Sequence, residues 1–76
     1  MKVLGSKWFT EMGNPSVIGI VLVEFDEAEQ LQFNAKKLSA YIGTGIPEET
    51  EKEDIEKIVT GGARFPVEAA KVLMGL

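Results

Sequence analysis

The side chains best suited to chemistry in this 76-residue chain are carboxylates, which form two clusters, at residues 26–29 and 48–56. The second cluster includes Glu49 and Glu53 and contains no glycine, whereas a calcium loop needs a glycine turn and oxygens that converge on one point. Acidic residues are favoured in the first turn of a helix by the helix dipole. We therefore interpret the second cluster as a solvated helix start that also suits a basic partner, with a weak Mg²⁺ or Ca²⁺ site as the alternative.

Nucleophilic and phosphate chemistry find little support. The chain has no cysteine and no histidine, which excludes disulfides and thiol nucleophiles and makes a zinc or copper site unfavourable. The Gly-Thr-Gly turn at residues 43–45 lacks the third glycine or the following lysine of a phosphate loop, and the acids after it would repel an anion. We predict a protein that is not an enzyme and that uses no cofactor or metal.

Three further side chains are candidates for contact with a partner. Trp8 adjoins Phe9, and neighbouring residues of a strand point to opposite faces, so one of the two rings is expected outside the core. Tyr41 is expected near a strand end, with its hydroxyl at a rim. Arg64 lies between the predicted helices and contacts a partner carboxylate, pairs locally with Glu68 or is simply solvated. With Glu49 and Glu53, these residues form the predicted partner-binding set.

The composition restricts the class of partner. The net charge of −4 disfavours nucleic acid and anionic membranes. We expect one domain over residues 1–76, and a domain this small without disulfides or metal gains stability most readily by self-association. With no signal-like segment and no cysteine, we predict a cytoplasmic protein.

The clearest element is an apolar, β-branched run at residues 17–25, which predicts a central strand. Gly19 interrupts it and indicates a bulge or the close approach of another backbone. Residues 7–10 have the composition of a further short strand.

Residues 26–38 have two interpretations. A helix would start at Asp26 with Glu29 as the third residue of a capping box. A hairpin would instead use the alternation of Leu31 and Phe33 with polar residues, and it would supply the central strand with a neighbour that ends near Ile42. We favour the hairpin.

Two helices are predicted in the C-terminal half. Thr50 and Glu53 form a capping box for the first, and Gly61 is expected to end it in a left-handed conformation. Pro66 opens the second helix, which continues to about Met74. The predicted fold class is α+β, with a small antiparallel sheet of two to three strands and two short C-terminal helices packed on one face.

These features favour a non-enzymatic protein-interaction module, acting as a homo-oligomer (a dimer) or as an accessory or inhibitory protein of the kind carried by phages. A sheet of so few strands leaves open edges that can pair across a two-fold axis. The alternative is a small ligand- or metal-dependent enzyme subunit with a carboxylate-lined site between chains, in which Tyr41 takes part.

Overall fold

The computed structural model of the protein describes residues 1–10, 17–45 and 52–76. These residues form four strands and three helices along the chain. In order they are β1 (Lys2–Thr10), β2 (Val17–Glu24), α1 (Glu27–Phe33), β3 (Leu38–Gly45), α2 (Lys52–Gly61), β4 (Ala63–Phe65) and α3 (Val67–Met74). The α+β class is therefore confirmed, and no helix of the described residues has both the length and the apolar character needed to cross a membrane.

The strands form one antiparallel sheet in the order β1-β2-β3-β4. The prediction of two to three strands was too low. Strand β4 has only three residues, too few to show an alternating pattern. Strand β1 spans nine residues, but a bulge between Val3 and Gly5 breaks its alternation.

Each face of the sheet carries its own apolar cluster. Val21 and Val23 of β2 pack with Ile58 of α2 on one face. Ile20 of β2 packs with Ala70 of α3 on the other. The prediction that both C-terminal helices lie on one face is wrong. Because β2 is apolar at successive positions, both of its faces need a cover, and the two helices provide one each.

Glu27–Phe33 form helix α1, with Asp26 and Asn34 as its caps, rather than the favoured hairpin. The backbone N–H of Glu29 donates to Asp26 Oδ1 at 2.8 Å, and the N–H of Asp26 donates to Glu29 Oε1 at 3.1 Å, which completes the capping box. Asn34 ends the helix in a left-handed conformation (φ 49°). The alternation that favoured a hairpin was misleading, since Leu31 is 86% exposed and faces no sheet partner.

The end of α2 also differs from the prediction. Gly61 is the last residue of the helix and has no left-handed φ. The constrained position is Gly62, where a Cβ atom would lie 2.5 Å from the carbonyl oxygens of both Ile42 and Ile58. Among the described glycines, the left-handed cap occurs at Gly75, which ends α3 with φ 71°.

Candidate functional site

Trp8 anchors the outer strand of the sheet. It pairs with Gly19 of β2, where an added Cβ would overlap the indole ring and lie 2.9 Å from Ile58 Cδ1. Gly43 of β3 pairs with Gly19 in turn, and a Cβ there would lie 3.0 Å from Ile58 Cγ1. The glycine in β2 therefore makes room for a side chain, not for the bulge or second backbone that its position suggested.

The indole of Trp8 is partly buried against the apolar cluster that includes Val21, Val23 and Ile58, here called the α2-side cluster. Its Nε1 atom is buried and has no hydrogen-bond partner among the described residues. Leaving a buried N–H without an acceptor costs about 1–3 kcal/mol, so the burial of the ring must offset that cost. Trp8 thus fixes β1 on the sheet while its backbone stays in the outermost strand.

Tyr41 lies in the core and not at a rim. The residue is 5% exposed, and its ring packs on that of Phe25 with 6.2 Å between centroids and a 58° tilt. Phe25 also stacks on Phe33 of α1 at 5.0 Å. This aromatic group joins α1 to the sheet.

Arg64 fastens the far edge of the sheet to α1. Its Nη2 atom donates to the carbonyl oxygen of Asn34 at 2.6 Å and lies 3.4 Å from that of Phe33. A cation is favourable at this end of a helix, because the last carbonyl groups carry partial negative charge. The local partner expected for it, Glu68, instead lies 3.7 Å from Lys71.

The two acidic candidates cannot be placed in the same way. Glu49 lies outside the described residues. Glu53 belongs to α2, but its side chain is also outside the described part. The acidic partner surface thus stays a prediction from the sequence.

A pocket that the sequence did not indicate lies between α1 and α2. Its volume is about 370 Å³, and its lining includes the carboxylates of Glu29 and Glu56 with apolar Phe33 and Val59. Glu29 Oε2 pairs with the terminal amine of Met1 at 2.7 Å. Over the described ranges, no group of three or more acidic, histidine or cysteine side chains is arranged to hold a metal ion.

The outer edge of β1 is the most prominent surface for interaction. Within residues 1–10, 17–45 and 52–76, β1 pairs with β2 alone, so the backbone N–H and C=O groups of alternate residues point away from the sheet. Exposed side chains follow this edge beyond the bulge, at Ser6, Lys7, Phe9 and Thr10. The opposite edge strand, β4, is much shorter.

An apolar surface adjoins this edge on the α3 side. Phe9 and Ile18 are cross-strand partners, and each is 39% exposed. The eight residues of α3 span about 12 Å, whereas the nine residues of β1 span about 30 Å. A helix that short covers only part of this face, and the Phe9 end stays accessible.

Comparisons of the chain with models of known protein families, with curated proteins and with solved structures found no match.

Proposed function

We propose that this protein is a non-enzymatic protein-interaction module that associates with itself through the open edge of β1. The observation that carries the proposal is a nine-residue edge strand that pairs regularly with β2 from Gly5 to Thr10. Phe9 in this part of β1 and its neighbour Ile18 in β2 are both exposed. Edge strands of this kind bind other strands by extending the sheet.

Natural edge strands are usually protected, and β1 is protected only at its start. The bulge between Val3 and Gly5 and the charge of Lys2 interrupt pairing over the first residues. Beyond the bulge, Lys7 is the one charged side chain up to Thr10. An open, regular edge favours pairing with another strand, because its backbone N–H and C=O groups then form hydrogen bonds with protein instead of with water.

The size of the chain favours association. A domain of 8.3 kDa without disulfides gains stability most readily from a partner subunit. We place the module in the cytoplasm, where an accessory or inhibitory role would suit its acidic charge.

The mass in solution tests this proposal. Light scattering at tens of micromolar is expected to give at least twice 8.3 kDa, with the mass falling on dilution. A mass of 8.3 kDa at every concentration would refute self-association.

A second candidate function, a ligand-binding subunit, is favoured by the pocket between α1 and α2, where Glu29 and Glu56 accompany apolar side chains. Acidic residues beside an apolar wall suit a cation or an amine. Thermal melting with and without millimolar Mg²⁺ or Ca²⁺ tests the metal form of this function, since a ligand that binds only the folded state raises the Tm. A shift that Glu56→Gln abolishes would support it, and an unchanged Tm would remove it.

A further inference from the structure

We propose that β1 pairs with β1 of a second copy of this chain, antiparallel and around a two-fold axis that passes beside Trp8. Lys7 then lies opposite the partner subunit's Phe9, and Ser6 lies opposite the partner subunit's Thr10. The two sheets join into one continuous sheet. This geometry rests on the proposed function and adds the identity of the partner and the register.

The faces of the sheet limit where the axis can lie. Ser6 and Trp8 point to the α2 side and Lys7 and Phe9 to the α3 side, as their pairing with β2 establishes. Residues directly opposite in an antiparallel pair point to the same face. An axis between two residues would oppose side chains from different faces, so the axis must pass beside a residue.

The length of the regular segment limits the axis further. The segment runs from Gly5, after the bulge, to Thr10, the last described residue of β1. An axis beside Lys7 or Trp8 pairs all but one residue of this segment. An axis beside Ser6 or Phe9 pairs only half of it, and fewer pairs give a weaker ladder.

Charge decides between the two longer registers. An axis beside Lys7 would place two ammonium groups directly opposite each other, which destabilises a strand pair. The axis beside Trp8 places Lys7 opposite an exposed phenylalanine ring, an arrangement that is favourable for a cation. It also pairs the hydroxyl groups of Ser6 and Thr10 across the strands, which can form a hydrogen bond.

The backbone of β1 is held in place before any partner binds. Trp8 is held by its contacts over Gly19 and with the α2-side cluster, so the backbone at the centre of the proposed pair is already fixed. A pre-ordered strand loses less conformational freedom on association than a mobile one. Ser6 and Thr10 are exposed on either side of it and are open to substitution.

Disulfide cross-linking tests the register. The chain has no cysteine, so Ser6→Cys and Thr10→Cys can be made as single variants, one of them carrying a size tag. Opposite residues lie about 4.5–5.5 Å apart between Cα atoms, which is within the range for a disulfide. After mixing and mild oxidation, we expect a disulfide between the two variants and little within either one.

Charge variants provide a matched second test. In the proposed register, Ser6→Asp with Thr10→Asp sets two pairs of like charges opposite each other, and we expect the dimer Kd to rise by about tenfold. Ser6→Asp with Thr10→Lys sets two pairs of opposite charges there and is expected to keep the dimer. Circular dichroism checks that both variants stay folded.

The outcomes of these experiments distinguish the proposed strand register from the proposed function on which it rests. A dimeric wild type that gives no mixed disulfide, that cross-links within Ser6→Cys alone, or that tolerates both charge variants equally would overturn the geometry and leave the module in place. A monomeric wild type would overturn the proposed function itself. A mixed disulfide together with selective dissociation of the doubly acidic variant supports both.

Discussion

Replacing Gly62 with alanine is expected to destabilise the fold strongly, although the residue is exposed. The new Cβ would lie 2.5 Å from the carbonyl oxygens of Ile42 and Ile58. Both oxygens belong to regular elements, and Ile58 O also accepts the N–H of Gly62 at 2.9 Å. Neither can move without disturbing β3 or the last turn of α2.

Overpacking of this kind typically costs about 1–3 kcal/mol, and the two clashes with backbone place Gly62→Ala near 3 kcal/mol by that scale. For a domain of this size, the corresponding fall in Tm is roughly 15 °C. Urea unfolding followed by circular dichroism measures the change, at one fixed protein concentration because association raises apparent stability.

Gly61 provides the matched control one residue earlier. It lies at the end of α2 with ordinary backbone angles, and an added Cβ would meet nothing within 4 Å. Alanine there is expected to leave stability unchanged or to raise it by about 0.5 kcal/mol, since the unfolded chain loses freedom. A larger loss for Gly61→Ala than for Gly62→Ala would refute the account of how α2 ends.

Three other substitutions test how the elements are held. Gly19→Ala is expected to displace the indole of Trp8, lower stability by about 1–3 kcal/mol and shift the tryptophan fluorescence maximum to the red. Arg64→Gln removes the cation from the end of α1 at Asn34 and is expected to cost about 0.5–1 kcal/mol in urea unfolding. Asp26→Ala removes the N-cap of the same helix and is expected to cost about 1 kcal/mol, with less helical circular dichroism.

Each of these substitutions has a comparison in the same chain. Gly43→Ala meets only the flexible side chain of Ile58 at 3.0 Å and should cost less than Gly19→Ala. Lys71→Gln loses only a 3.7 Å surface pair and should be nearly silent beside Arg64→Gln. Glu27 lies in the first turn of α1 but takes no part in the capping box. If Glu27→Ala and Asp26→Ala lowered stability equally, the result would argue against the capping box.

The strongest local patterns predicted their elements correctly. The β-branched run at residues 17–25 corresponds to β2, and the neighbouring strand expected to end near Ile42 corresponds to β3 (Leu38–Gly45). Helix α2 ends at the first glycine of the Gly61-Gly62 pair, and Pro66 immediately precedes α3. The capping box expected at Thr50 lies outside the described residues. These features are local, because caps and turn residues act on their immediate neighbours.

The predictions that were wrong concern features that depend on contacts between residues far apart in the sequence. The face that α3 covers depends on which strands lie beside β2, and no local pattern specifies that. Residues 26–34 carried both a capping box and an alternation, and the cap prevailed because Phe33 packs on Phe25 while Leu31 stays in solvent. The prediction that Gly61 is the constrained residue was wrong. The constraint falls on Gly62, where a Cβ would clash with the carbonyl oxygen of Ile42 in β3, a residue distant in the sequence.

The candidate site was predictable only in outline. An open sheet edge followed from the small number of strands, but β1 emerged as the long edge only from the pairing order. The environment of Trp8 depends on two glycines that become neighbours through strand register. Arg64 reaches a helix end some thirty positions earlier in the chain, a contact that no sequence spacing announces.

The most direct test of the central claim is the solution mass of the wild type, measured by light scattering over a concentration series. Self-association through β1 predicts at least twice 8.3 kDa at tens of micromolar, with a lower mass on dilution. A constant mass of 8.3 kDa over the whole series would contradict it.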